Sequence, residues 1–232
     1  KVNGENYDYK QSGANGAAMR VLPIALANLG NTEKIKEEIF CNSIITHGHP
    51  RAILGAMLYG YAINQIIVYR PEDFNWENYI TQIGLDFPKK FELSFINKME
   101  IREWLKEWNK SSNKTFESVY AETITETQNQ LRFVYQSIKQ NTPVQETLKK
   151  IGCFDPATKG SGIATVIAGI YLATKFHDKP LEAIILISIL VDNGDVKTAR
   201  SEVKRLISLV KDFLRSSSWT YYIKSKVGRG FV

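Results

Sequence analysis

The sequence predicts an all-α protein. Apolar residues recur at spacings of three and four positions through most of the 232 residues, and no segment shows the sustained apolar and polar alternation of strands. Glycine, proline, asparagine and aspartate separate the apolar segments at intervals that suit helices of about 11 residues. We therefore expect about eight to eleven helices that bury their apolar faces against one another.

Composition places the chain among ordinary globular proteins. Hydrophobic residues make up 44% and charged residues 23%, which excludes a largely disordered chain, and we expect a single domain over residues 1–232. The net charge of +6 comes from 30 basic residues scattered among 24 acidic ones, so nucleic acid is a disfavoured partner. Only Lys224, Lys226 and Arg229 form a biased tail, for which a solvated end is favoured over a nucleic-acid patch.

Two further features predict where the protein resides. The longest apolar run, Ala183 to Val191, is too short to span a bilayer, and no signal peptide opens the chain. We therefore expect a cytoplasmic protein without membrane contact. Cys41 and Cys153 are far apart and lack metal-ligand spacing with the histidines, so reduced, buried thiols are the simpler interpretation.

The helices of the first half are bounded by Gly, Asn and Pro. Gly30 should stop the first one, Asn31 should cap the second, and a loop is expected at Phe87 and Pro88 after the fourth. The glycines of the third helix suggest close packing against neighbours. The expected helices are Val21–Leu29, Glu33–Ser43, Ile53–Val68 and Asp73–Gly84.

The second half continues the same periodicity. Pro143 should close or restart the helix before it, and Pro180 stands where a helix should begin. The segment after Phe91 is expected to be helical, with a break in its middle as an open alternative. The expected helices are Phe91–Trp108, Glu117–Gln140, Val144–Lys150, Ile163–Phe176, Leu181–Val191 and Thr198–Leu214.

The candidate binding site is the segment Ser12-Gly13-Ala14-Asn15-Gly16, which we call the small loop. Its small side chains should leave backbone amides uncovered, and glycine lets consecutive amides point at one ligand. Because a helix should follow directly, the loop suits an anion such as a phosphate. A tight turn between packed helices is an equally weighted alternative.

Two other polar segments interrupt the apolar helices. Thr46-His47-Gly48-His49-Pro50 holds two histidines at a spacing that could share a metal in an extended loop, although local capping is favoured. The other is Asn193-Gly194-Asp195-Val196-Lys197-Thr198. Each lies at the end of a helix expected to be buried.

Together these segments resemble the ADP-ribosylglycohydrolase family. The motifs are, in order, Asn-Gly-Ala-Ala-Met-Arg-Val, Thr-His, Gly-Ser-Gly-Ile-Ala-Thr-Val and Gly-Asp-x-x-Thr, between Ser12 and Val203. The resemblance implies an orthogonal multi-helix bundle whose enzymes use paired divalent cations, usually magnesium, to cleave the bond between the anomeric ribose carbon of ADP-ribose and an acceptor. It also implies that the small loop cradles the ADP-ribose diphosphate and ribose, and that His47 helps to hold this ligand.

The metal motifs depart from the family pattern. The upstream Thr-Asp-Asp motif is absent, and Lys197 stands where the second Asp of Asp-x-Asp-[Thr/Ser] belongs, leaving Asp195 and Thr198 as metal ligands. An ammonium repels a divalent cation, and two magnesium ions need several oxygen ligands. The missing ligands could lie in an N-terminal part of the family fold that precedes Lys1, or in another chain. A degenerate relative is the favoured interpretation.

These observations leave two main hypotheses, in both of which the catalytic residues stay unassigned. The first is an ADP-ribosylglycohydrolase-like protein that binds ADP-ribose, or an ADP-ribosylated substrate, and hydrolyses its glycosidic bond. The second is an inactive module within a larger assembly, which binds ADP-ribose, a nucleotide or a protein partner. A third hypothesis makes the aromatic region from Phe74 to Trp108 a contact surface for other subunits.

Overall fold

The computed structural model describes residues 8–69, 73–98, 101–110, 113–183 and 186. Across these residues helices are joined by turns, and the β-type pairing consists of one isolated antiparallel bridge between Ala14 and Ser161. The predicted all-α class is confirmed.

The first four α-helices follow a short 3-10 helix, Tyr9–Gln11. Asn31 caps the third α-helix by accepting a hydrogen bond from the Lys34 amide, as the sequence predicts. His49 caps the fourth in the same way, through the Arg51 amide. The helices are α1 (Gly16–Arg20), α2 (Leu22–Ala27), α3 (Thr32–Ile44) and α4 (Pro50–Ile66).

The remaining α-helices are also capped where the sequence offers a partner. Ser161 caps the last of them through the Ala164 amide, and Gly152, with φ of 95°, ends the helix that Pro143 begins. A second 3-10 helix, Leu93–Lys98, replaces the first part of the helix expected after Phe91. The helices are α5 (Trp76–Lys90), α6 (Arg102–Lys110), α7 (Phe116–Lys139), α8 (Val144–Ile151) and α9 (Gly162–Lys175).

Two differences from the expected helices occur beside prolines. The predicted helix Val21–Leu29 is observed as the shorter α2, and an unexpected helix, α1, precedes it on the other side of Val21. Pro23 suits the first turn of α2, because proline lacks an amide hydrogen and is tolerated at that position. The predicted loop at Pro88 is wrong, since α5 continues to Lys90. Phe87 and Phe91 are fully buried with ring centroids 4.8 Å apart, so packing outweighs the missing hydrogen bond.

Helix α4 is the centre of the packing. Residues from Pro50 to Leu58 along it are buried except for Arg51, and it contacts α1, α2, α3, α5, α7 and α9. Close approach of α4 and α9 occurs at Gly55: a Cβ atom there would lie 2.5 Å from the Gly162 carbonyl carbon. Glycine at both positions therefore fixes how near the two helices come.

Much of the aromatic region from Phe74 to Trp108 belongs to the core. Phe87, Phe91 and Phe95 are each at most 3% exposed, and Trp108 is 6% exposed. These four rings are therefore not available to a partner, because they are already packed inside the chain. Phe74, Trp76 and Trp104 are half-buried, and for them the contact-surface hypothesis stays a prediction. Cys41 also differs from the expectation: it is exposed rather than buried, whereas Cys153 is half-buried.

Backbone contacts divide the chain into two compact units, Lys1–His177 and Asp178–Val232. In the second unit residues 180–183 are helical, as expected after Pro180. Most of the predicted helix Leu181–Val191, and all of Thr198–Leu214, lie outside the described residues. The single-domain assignment stays a prediction. Among the described helices, none combines the length and the apolar character needed to cross a bilayer.

Candidate functional site

The small loop is fastened to the start of α9. The Asn15 amide donates to the Gly160 carbonyl at 2.8 Å, and the Gly162 amide donates to the Gly13 carbonyl at 2.8 Å. These two bonds flank the antiparallel bridge between Ala14 and Ser161, so the N–H and C=O groups of Ala14 point away from Ser161. The loop therefore presents Ala14, which is exposed, on the side opposite α9.

The expectation of uncovered amides holds for only part of the loop. The amides of Ser12, Gly13 and Asn15 donate to the carbonyls of Tyr9, Gln11 and Gly160 at 3.2, 2.8 and 2.8 Å. The amides of Ala14 and Gly16 have no acceptor among the residues that the structure describes. These two N–H groups are the ones that an anion could engage.

His47 packs directly against the loop. Its Nε2 atom lies 3.0 Å from the position that a Cβ atom of Gly16 would occupy, so glycine is needed for this approach. Nδ1 lies 2.8 Å from the Thr46 hydroxyl, a pairing that suits the tautomer with hydrogen on Nε2. Burial, and then the charge of Arg20, lower the pKa of His47 below its usual value. Both effects favour the neutral imidazole, which in this tautomer offers an Nε2–H donor beside Gly16.

His49 contacts the other end of the loop. Its ring lies 3.6 Å from the Cβ position of Gly13, while Nδ1 accepts the Arg51 amide at 3.1 Å and so caps α4. Arg51 forms an ion pair with Glu126 at 3.0 Å. Burial and the charge of Arg51 lower the pKa of His49, whereas Glu126 opposes that shift. These contacts favour the capping role over the shared-metal alternative.

A cavity of about 370 Å³ lies on the α9 side of Asn15. The Asn15 side-chain amide donates to the Thr165 hydroxyl at 3.2 Å, and both residues line this cavity. The sequence does not predict this cavity, although Thr165, Gly169 and Ala173 recur every four residues and mark one face of α9. The other lining residues are Ala18, Met19, Tyr59, Ala62, Ile63, Ile66, Tyr79, Val166 and Ile170.

The predicted metal ligands Asp195 and Thr198, and Lys197 between them, lie outside the described residues. Within the described part, no three His, Cys, Asp or Glu side chains converge as a metal site would require. Glu126, the acid beside His49, is engaged by Arg51. The side chains around the small loop therefore do not fit a two-magnesium site by themselves.

The described part of the chain is all-α, and its candidate anion-binding site is made of the small loop and the segment that holds His47. A model of the ADP-ribosylglycohydrolase family matches residues 2–198, so the chain belongs to that family. Neither the curated proteins nor the solved structures contain a significant match to the chain. The family acts on ADP-ribosylated substrates and is generally metal-dependent.

Proposed function

We propose that the small loop and His47 bind the diphosphate of ADP-ribose. The contact between His47 and Gly16 supports this proposal most directly, since it brings together two polar segments that are distant in sequence. Local turn formation in either segment does not require the other to be near. A diphosphate would find the Ala14 and Gly16 amides and the His47 Nε2–H on adjoining surfaces.

The charge distribution is compatible with an anionic guest. Burial lowers the pKa of His47 and so favours the neutral ring, which can donate a hydrogen bond without the desolvation that an imidazolium would suffer. Arg20 lies close enough to depress the pKa of His47, and its guanidinium is held by the Asn42 side chain and carbonyl at 2.6 Å each. This fixed positive charge favours anions near the loop.

Whether the bound ligand is hydrolysed depends on residues outside the described part. When bound, a pair of magnesium ions polarises hydroxyl groups and positions water. Asp195 and Thr198 are the proposed magnesium ligands, and Lys197 argues against a complete site because its ammonium repels a cation. We therefore keep two candidates, a hydrolase completed by an N-terminal segment or partner chain, and an inactive cytoplasmic ADP-ribose-binding module.

Isothermal titration with ADP-ribose, with and without magnesium chloride, tests the proposal. Binding that needs magnesium, together with release of ADP-ribose from a modified protein, supports the hydrolase. Binding that is independent of magnesium, without release, supports the module. Absence of binding under both conditions contradicts the proposed site.

The same titration at lower pH tests the role of His47. Because its pKa is depressed in the free protein, an anion at Nε2 should raise that pKa and draw in a proton. Affinity for ADP-ribose should therefore increase as the pH falls from about 7 toward about 5.5. A His47→Asn variant should lose most of this increase, and an equal increase in the variant would remove His47 from the site.

A further inference from the structure

The backbone between the two histidines is held on both sides. The Gly48 amide donates to the Tyr9 carbonyl at 3.0 Å, and the Gly48 carbonyl accepts from the Trp108 indole Nε1–H at 2.9 Å. Gly48 is buried, and a Cβ atom on it would lie 2.5 Å from the Tyr9 ring. Residue 48 therefore has almost no freedom to move while Tyr9 and Trp108 stay in place.

The constraint on Gly48 also restricts the histidines on either side of it. His47 reaches Gly16 at one end of the small loop, and His49 reaches Gly13 at the other. Since the two side chains leave the backbone immediately before and after Gly48, a rotation of its peptide groups would move both rings away from the loop. The position of Gly48 thus controls the histidine contacts at both ends of the loop.

Helix α6 is itself anchored in the core. The ring of Trp108 packs edge-on against Phe116 at 5.3 Å between centroids, and Trp104 packs against the same ring at 5.1 Å. Trp104 Nε1–H donates to the Tyr9 hydroxyl at 2.9 Å, and that hydroxyl donates to the Ile44 carbonyl. We call Tyr9, Trp104 and Trp108 the tryptophan clamp.

Lys10 adds a second connection between the clamp and the N-terminal segment. Its ammonium donates to the Trp108 carbonyl at 2.6 Å and lies 5.4 Å from the centroid of the Trp108 ring. The segment that precedes the small loop is therefore tied to the same helix that holds Gly48. Both parts of the candidate site, the loop and the histidines, depend on α6.

We propose that Trp108 is a positioning residue whose indole N–H, through the Gly48 carbonyl, holds His47 and His49 against the small loop. Only the expected effect of Trp108 on ligand affinity rests on the proposed function. The structural part of the inference concerns the two imidazole rings and can be tested without a ligand. Trp108 would not touch ADP-ribose, so its influence would pass through Gly48.

The variant Trp108→Phe removes the indole N–H and keeps an aromatic ring beside Phe116. The matched control is Trp76→Phe, because Trp76 packs on Tyr135 and takes no part in the clamp. The chain has three histidines, so their imidazole NMR signals can be assigned and titrated individually. His177, whose ring packs at a tilt against Phe74 with the centroids 5.3 Å apart, serves as an internal reference.

In Trp108→Phe we expect the NMR signals of His47 and His49 to shift. We also expect their pKa values to rise toward the ordinary value of about 6.5, because the rings lose part of their burial. The charged groups facing them, Arg20 for His47 and Arg51 with Glu126 for His49, stay in place. The His177 signal should be unchanged, and Trp76→Phe should move none of the three. Unchanged His47 and His49 titrations in a folded Trp108→Phe protein would overturn the inference.

The affinity for ADP-ribose provides the second readout. Loss of the buried hydrogen bond should weaken binding about threefold to tenfold in Trp108→Phe, with no change in Trp76→Phe. If the wild-type protein does not bind ADP-ribose, the proposed function fails while the NMR titration still decides the positioning role.

If Trp108→Phe does not fold, Tyr9→Phe removes the hydroxyl partner of Trp104 and should produce the same shifts to a smaller degree. Their absence there would contradict the clamp.

Discussion

Helices α4 and α9 meet in two regions that use glycine for opposite purposes. At the crossing of Gly55 and Gly162, a Cβ atom on either residue would overlap backbone atoms of the other helix, at 2.5 Å for Gly55 and 2.4 Å for Gly162. Further along the same helices, Gly169 lines the cavity, and a Cβ atom there would meet nothing within 4 Å. At the crossing the two helices touch, because glycine leaves no side chain between their backbones. Beside Gly169 a cavity remains, although glycine would permit equally close contact there.

The difference shows that the role of a glycine in this chain depends on what lies against it. A glycine at the crossing is required by sterics, because no side chain can move aside when the neighbour is backbone. The glycine in the cavity wall has no such requirement among the described residues, and it lowers the stability of its helix. Gly16 lies between these extremes, since its close neighbour is the His47 side chain.

The largest effect is expected at the crossing. Gly55→Ala should lower the free energy of unfolding by about 3 kcal/mol, because the added methyl group forces α4 and α9 apart along a buried interface. Urea denaturation followed by circular dichroism measures this change. Gly84→Ala is the matched control, since Gly84 is also helical and its Cβ atom would meet nothing within 4 Å. A Gly55→Ala protein as stable as wild type would mean that the helices are not in contact there.

An intermediate effect, on binding rather than folding, is expected at Gly16. Gly16→Val places a Cβ atom 3.0 Å from the present position of His47 Nε2, and its two methyl groups should displace the ring from the loop. Affinity for ADP-ribose should fall by at least about tenfold, which corresponds to about 1.4 kcal/mol. The helical circular dichroism signal should remain, because an imidazole can move where backbone cannot. Gly84→Val controls for the new β-branched side chain, and equal affinities in the two variants would exclude the small loop from the site.

The smallest effect is expected in the cavity wall. Gly169→Ala should raise the free energy of unfolding by about 0.5 to 1 kcal/mol, because alanine favours the helix and nothing opposes the methyl group. Thermal and urea denaturation should agree on the sign, and Gly84→Ala should give a gain of similar size. A clear loss of stability at Gly169, with a gain at Gly84, would show that the space beside Gly169 is filled in solution.

The sequence predicted most of the helices because their signals are local. Asn31 and Pro143 mark the beginnings of α3 and α8, and apolar periodicity identifies α7 and α9 nearly to their ends. The buried face of α7 was harder to predict. It includes Thr123, Thr127 and Ser137, and the two threonine hydroxyls are satisfied by carbonyls of their own helix at 2.7 Å.

The candidate site was found in pieces. The sequence, partly through the family resemblance, predicts the small loop and His47 as ligand-binding segments, and the structure places the two in contact. The use of loop amides in backbone bonds to Tyr9, Gln11 and Gly160 could not be predicted, because each acceptor is set by the path of the chain. The tryptophan clamp was missed for the same reason: Trp108 and Gly48 are distant in sequence and carry no shared motif.

By itself the sequence determined the helical class, the positions of most helix ends and the segments rich enough in small residues to approach a ligand or another helix. Only the tertiary structure decided which glycines are pressed against backbone, which one faces a cavity, and that Pro88 remains inside α5. Capping and periodicity depend on residues a few positions apart, so they can be read along the chain. Close approach and burial depend on residues that meet only after folding, and these contacts override local preference where the packing energy is larger.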